Sequence, residues 1–302
     1  MNTQKNQDRG QDRGQDRGAV GKVAPEGAAR NFKRRVASAV VLAPVAIAAA
    51  YFGGWPFMIV CAIAAAAILW EWTMLVARNA EPRILAPGLA ALAVATGLVG
   101  ATEPTAAVAA IAIGALLVGG MVAFWPRCEL PSLWAAGGVI YAGVVLLSPT
   151  LLRNDPQFGL QALLFLFAIV WATDIFAYLI GRKLGGPLLW PRLSPNKTWS
   201  GAIGGLVGGV AAGIAVAYAS GGTRGAVAGV LALVLSIVAQ GGDLFESAIK
   251  RRFGVKDTSH LIPGHGGVMD RLDGFLVAAL AAVLIGILRQ GVAAPARGLL
   301  AW

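Results

Sequence analysis

The chain has 302 residues, of which 57% are hydrophobic and only 13% charged, with a mean hydropathy of +0.69. A soluble domain usually carries about 25% charged residues, so the composition excludes an ordinary globular protein and points to one that spans a bilayer. The net charge of +10 would suggest nucleic acid as the partner of a soluble chain; in a multi-spanning chain it reflects Lys and Arg held in cytoplasmic loops, and no nucleic-acid partner is expected.

The first 35 residues are polar and mixed in charge, with three copies of QDRG between Gln7 and Gly18. They read as a disordered tail. Lys33, Arg34 and Arg35 then precede the first apolar run, which reads as an uncleaved helix after so long a tail. Nine candidate spans follow in order, at about 36–52, 56–76, 84–101, 105–125, 133–152, 159–181, 201–219, 223–241 and 274–290. The short 84–101 span and the polar end of 223–241 make eight the alternative count. The expected fold is therefore an all-α integral membrane protein, with N-terminal helices over 36–152 and a catalytic region over 153–302. Cys61 and Cys128 are far apart and suggest neither a disulfide nor a zinc site.

Charge sets the orientation. With the N-terminus in the cytoplasm, every Lys and Arg of the 25 falls on the cytoplasmic side except Arg153, Arg224, Arg289 and Arg297. Two connections are long, about 182–200 and 242–273, and both fall on that side. They hold most of the polar residues, so the site is expected there.

Within the spans, Glu71 stands near a cytoplasmic end, where it reads as reaching the interface. Asp174 stands inside an apolar span with Tyr178 one turn away, and an ionisable residue in such a place is a functional candidate. Ser194-Pro195-Asn196-Lys197-Thr198 precedes a helix whose N-terminus could bind phosphate; the plainer reading is a turn at Pro195 and a cap at Ser200. That helix carries Gly201, Gly205, Gly209 and Gly213 at intervals of four, a stripe for close helix packing, with homodimerisation as a secondary role.

The segment from Gly242 to Asp273 mixes acids and bases between two apolar runs. A solvated connector explains its Lys and Arg but not its acids, which contribute little to topology. Mg²⁺ favours one or two carboxylates together with substrate phosphates, and Asp243, Asp270 and Asp273 are the candidates, the last two facing one way if helical. Lys250, Arg251, Arg252, Lys256 and Arg271 can neutralise phosphate charge. The glycines around His265 let backbone N–H groups converge on an anion. A binding role suits His265 better than general-base chemistry, since a phosphate nucleophile is already ionised, and His260 is left unassigned.

Ser247, Lys250-Arg251, Lys256-Asp257, Ser259, Pro263, His265-Gly266-Gly267 and Asp270-Arg271-Leu272-Asp273 together resemble the signature of phosphatidate cytidylyltransferases, or CDP-diacylglycerol synthases. Gly242-Asp243, Ser194 to Thr198, and Asp174 with Tyr178 are also similar to that family. The resemblance covers about 174–273; the N-terminal half matches only as apolar helices. It implies attack of a phosphatidate oxygen on the α-phosphorus of CTP, with pyrophosphate leaving, in bacterial phospholipid synthesis at the inner membrane. It further implies catalytic roles for Asp243, Asp270, Lys250 and Arg271. Substrate binding would fall to Ser194, Asn196, Lys197, Thr198, Ser247, Arg251, Lys256, Asp257, His265, Gly266 and Gly267. Mg²⁺, with K⁺ as a second ion, would sit on Asp243 and Asp270, then Asp273. Ser200 stands where the family often has Glu, which leaves Asp174 or the Ser200 hydroxyl to take that place.

Two other classes fit less well. A CDP-alcohol phosphotransferase needs a DGxxAR pattern, whereas Asp273-Gly274 is followed by Phe-Leu-Val without the Arg. A transporter would spread ionisable residues over several spans instead of concentrating them in one segment.

Overall fold

The computed structural model describes residues 43–124, 131–221, 224–259, 261 and 266–301. The tail, the start of the first apolar run, and both histidines lie outside the described residues. Ten helices are present among the rest: α1 (Ala43–Phe52), α2 (Gly54–Ala77), α3 (Pro82–Gly100), α4 (Pro104–Ala123), α5 (Ser132–Arg153), α6 (Gly159–Leu184), α7 (Trp199–Ala219), α8 (Gly225–Arg252), α9 (Met269–Gln290) and α10 (Pro295–Leu300). Eight of them, α2 to α9, are long and apolar enough to cross a membrane, and the described part of the first run adds the shorter α1. The chain is a multi-pass, mostly helical membrane protein. The two spans that looked weakest, 84–101 and 223–241, are both full helices.

The small departure from an all-α fold is a hairpin of β1 (Leu188–Trp190) and β2 (Ser194–Thr198), antiparallel, with Leu188 opposite Thr198 and Trp190 opposite Ser194. It occupies the first expected loop. Gly185 and Gly186, at φ 62° and 105°, turn the chain out of α6 in conformations that favour glycine. Thr198, not Ser200, caps α7, its Oγ1 accepting from Gly201 N at 3.1 Å. Ser200 instead donates to Gly185 O, tying the two ends of the hairpin together.

Half of the second expected loop is helix. The 28 residues of α8 extend about 42 Å at 1.5 Å per residue, against about 30 Å for a hydrocarbon core. The apolar pattern stops where the bilayer would stop, but the backbone does not. Leu244, Glu246, Ala248 and Lys250 are good helix formers, and Lys250, Arg251 and Arg252 in the last turn complement the helix dipole. The helix ends at Gly254, φ 73°, whose N–H returns to Arg251 O while Val255 N returns to Lys250 O. Only 253–268 connects α8 to α9.

Chain neighbours pack together, and α5 joins α2 to α9. The glycine stripe of α7 is consumed inside the molecule. A Cβ on Gly205 would crowd Thr173 O of α6, and one on Gly213 would crowd Ala232 of α8. Where Gly209 leaves room, Thr173 Oγ1 and Ser236 Oγ form a buried hydrogen bond of 2.7 Å between α6 and α8. Phe167 stacks on Phe275, linking α6 to α9 at 5.2 Å between centroids.

Candidate active site

The polar residues of α6, β2, α8 and α9 converge at one end of this helix packing. Lys197, at the end of β2, forms an ion pair with Asp243 of α8. Asp174 of α6 is exposed and within electrostatic reach of Asp243, Lys197 and Arg271. The one-turn spacing of Asp243 and Glu246 sets both acids against Asp273 of α9, so that one carboxylate oxygen from each lies within 4.8 Å of the others. Glu246 is 1% exposed. Its Oε2 pairs with Lys250 Nζ at 2.7 Å, while its Oε1 is buried with no hydrogen-bond partner among the described residues. Three crowded carboxylates with one unsatisfied buried oxygen are a donor set that suits a hard divalent cation.

Asp270 is held differently. Its Oδ1 accepts from Lys250 Nζ at 2.7 Å. Its Oδ2 accepts from Gly267 N at 2.8 Å and from Thr258, through N at 3.1 Å and Oγ1 at 3.0 Å. Lys250 therefore bridges Glu246 and Asp270 and joins the carboxylate group of α8 to the start of α9. Gly266 sits at φ 87°, and its missing Cβ leaves room for Asp270 Oδ2.

The N-terminal half supplies a further acid. Glu71 of α2 is fully buried instead of reaching the interface. It accepts from Met269 N at 2.7 Å, Val268 N at 2.8 Å and Ser259 Oγ at 2.5 Å, with Thr258 Oγ1 alongside at 3.5 Å. Any Cβ on Gly267 would collide with Thr258 Oγ1 and the Glu71 carboxylate. That requirement for close packing explains this glycine without a ligand.

Beside the acids, an apolar groove of about 520 Å³ runs between α5, α8 and α9, with Trp72 at one side and Tyr141, Gly242, Phe245, Val277 and Leu280 along it. On α9, Val277 lies one turn beyond Asp273, so the groove leads away from the carboxylates along the same helix face.

The sequence of this chain matches the model of the cytidylyltransferase family over residues 33–288. The chain belongs to that family. Similar curated proteins are the phosphatidate cytidylyltransferases of Brucella abortus and Haemophilus influenzae. The first is 43% identical over 85% of this chain and 93% of the relative, the second 36% identical over 82% and 95%. A phosphatidate cytidylyltransferase of Bacillus subtilis is 36% identical over 41% of this chain and 47% of its own length.

Against this family background, the expected site residues fall into three groups. Lys197, Asp243, Lys250, Asp270 and Asp273 share one connected constellation, with Asp174 at its edge. Thr198 and Ser194 are engaged in the cap and the hairpin, Gly266 and Gly267 shape the loop around Asp270, and Ser247 is half-buried on α8. Asn196, Arg251, Lys256, Asp257 and Arg271 are exposed around it, Arg251 donating to Val255 O at 3.3 Å. Tyr178 Oη accepts from Arg182 Nη1 at 2.9 Å. His265 lies outside the described residues. Glu246 went unassigned in the sequence, being signalled only once the helix is known to run on to Arg252, and Glu71 stood out as an acid within a span while its distant partners gave no local signal.

Proposed function

We propose that this protein is a phosphatidate cytidylyltransferase of the bacterial inner membrane. It transfers the cytidylyl group of CTP to phosphatidic acid, forming CDP-diacylglycerol and pyrophosphate on the cytoplasmic side. The observation that carries the reading is the joining of Lys197, Asp243, Lys250 and Asp270, from three separate stretches of sequence, into one charged constellation linked through Glu246. The names of the relatives supply the substrates, and the Lys and Arg distribution supports the orientation.

In the reaction a phosphatidate oxygen forms a bond to the α-phosphorus as the bond to the leaving pyrophosphate breaks. The nucleophile is already an anion, so no side chain must remove a proton. What is required is positioning and neutralisation of charge. Lys197 and Lys250 are placed to meet phosphate oxygens when they exchange their carboxylate partners for substrate. Arg251, Lys256 and Arg271 stand exposed at the entrance, where they can receive a triphosphate. Asp243, Asp273 and Glu246 would hold Mg²⁺, with Asp270 and Asp174 beside them; the cation would neutralise phosphate charge and orient the triphosphate. The apolar groove offers an acyl chain a path from the carboxylates towards the bilayer.

The test is pyrophosphate release by detergent-solubilised protein given CTP, phosphatidic acid and Mg²⁺, with and without K⁺. Release that needs both substrates, is not supported by ATP, and stops with EDTA is expected. Its absence from folded protein across several phosphatidic acids would overturn the reading.

A further inference from the structure

Glu71 is the acid that the proposed chemistry does not use, and its surroundings are unusual for a buried carboxylate. Its donors are all neutral: the Ser259 hydroxyl and the backbone N–H groups of Val268 and Met269, with the Thr258 hydroxyl alongside at 3.5 Å. Val268 and Met269 stand at the beginning of α9, where N–H groups lack intrahelical partners and the helix dipole favours a negative charge. Glu71 thus caps α9 from another helix, nearly two hundred residues earlier in the chain, and in the same contact ties Ser259 to the start of α9.

Its own helix is firmly held. Adjacent Trp72 donates from Nε1 to Trp134 O of α5 at 2.8 Å. The Trp72 ring packs on Tyr141, 5.3 Å between centroids, and into the space left by Gly138. The carboxylate is therefore a fixed point, and the loop is what it fixes. Thr258 carries the connection onward: the same Oγ1 that faces Glu71 also donates to Asp270 Oδ2. From there Asp270 reaches Lys250, and Lys250 reaches Glu246. One chain of contacts runs from α2 through the loop to the carboxylates.

We propose that Glu71 is a positioning residue for the transfer reaction, holding Thr258, Ser259 and the first turn of α9 so that Asp270 and Lys250 stand in register with Asp243 and Glu246. The inference rests on the assignment of Asp270 and Lys250 to the reacting site. Glu71 itself touches no substrate; it acts through the groups it orients. This gives the N-terminal helices a part in catalysis beyond supplying apolar surface.

Glu71→Gln keeps the shape but presents an NH₂ group to N–H donors. Its kcat is expected to fall about 10- to 100-fold, the scale typical of lost orienting contacts, with KM for CTP unchanged. Hydrogen exchange of the Thr258, Gly267, Val268 and Met269 amides should quicken while α2 and α5 stay protected. Wild-type kcat, or a lower melting temperature with unchanged kcat per folded molecule, would overturn the proposal. If Glu71→Gln does not fold, Ser259→Ala removes one donor only. A smaller fall in kcat is expected there, and a wild-type value would overturn the proposal equally. Asp270→Asn run alongside separates the two readings. Lack of turnover by the wild-type protein would defeat the reaction assignment, whereas wild-type kcat in Glu71→Gln beside an inactive Asp270→Asn would defeat only the role of Glu71.

Discussion

Within helices α1 to α5 the one described acid is Glu71, buried and satisfied by neutral donors from Ser259, Val268 and Met269, whereas α6, α8 and α9 crowd Asp174, Asp243, Glu246, Asp270 and Asp273 around two lysines. The first arrangement is complete as it stands. The second is not: it brings like charges together and leaves one buried oxygen without a partner. Crowded, partly unsatisfied charge costs folding free energy and is retained where a ligand completes it. The N-terminal helices thus provide a frame, and the C-terminal ones carry the charged, incomplete constellation to which the proposed function assigns the substrates.

The contrast is broken most severely by removing charge from the incomplete site. Asp243→Asn and Asp270→Asn are each expected to lower turnover by about 10³-fold or more, because they remove groups that organise charge where it shifts during transfer. Circular dichroism and melting temperature should show folded protein in both. Full activity in both variants would sink the assignment of the cation to this face.

Glu246→Gln sharpens the comparison between a finished and an unfinished carboxylate. If Oε1 is kept free for a divalent ion, the Mg²⁺ concentration for half-maximal pyrophosphate release should rise by about 10- to 100-fold, while activity at saturating Mg²⁺ is largely recovered. An unchanged Mg²⁺ dependence would mean that the oxygen faces away from the cation. Lys197→Met is milder. Loss of one charge-assisted contact to phosphate, about 1.5–3 kcal/mol, should raise KM for CTP by roughly tenfold or more. It should leave the melting temperature close to wild type, since its partner Asp243 is about one-third exposed and can be hydrated.

The sequence disclosed these two regions unequally, for a physical reason. Apolar runs report the thickness of the bilayer, so α2 to α9 could be read to within a few residues at most ends. Where α8 outruns the bilayer, hydropathy reports only the loss of lipid contact, and a continuing helix looks like a loop. The spacing of Asp243, Glu246 and Lys250 carries the helical signal there, but it is legible only to a reader who no longer expects apolar residues. Asp243, Asp270, Asp273 and Lys250 were legible because ionisable groups at a membrane boundary are few and clustered. Glu71 was not, because its partners, Ser259 and Met269, are 188 and 198 residues away. No local pattern encodes so distant a contact. The β1–β2 hairpin was hidden for a related reason, since strands of three and five residues are too short for a period to emerge.

The smallest expected effect on activity lies far from the charges, in the glycine stripe. Gly213 has its missing Cβ facing Ala232 of α8 and Ile169 and Phe165 of α6. Gly213→Ala must push these helices apart slightly, and overpacking of this kind costs about 1–3 kcal/mol. The expected result is a lower melting temperature in detergent with kcat and both KM values unchanged, because the carboxylates are positioned by α8 and α9 nearer their charged ends. The same variant separates packing within one chain from packing between two. If it left the melting temperature alone but converted a dimer to monomers on size-exclusion chromatography, the stripe would serve a partner subunit and not α6 and α8. Contacts from Gly201 to Gly213 onto Ala177, Thr173, Ile169 and Ala232 argue for the first outcome, since a face filled by its own neighbours has no room for a second copy.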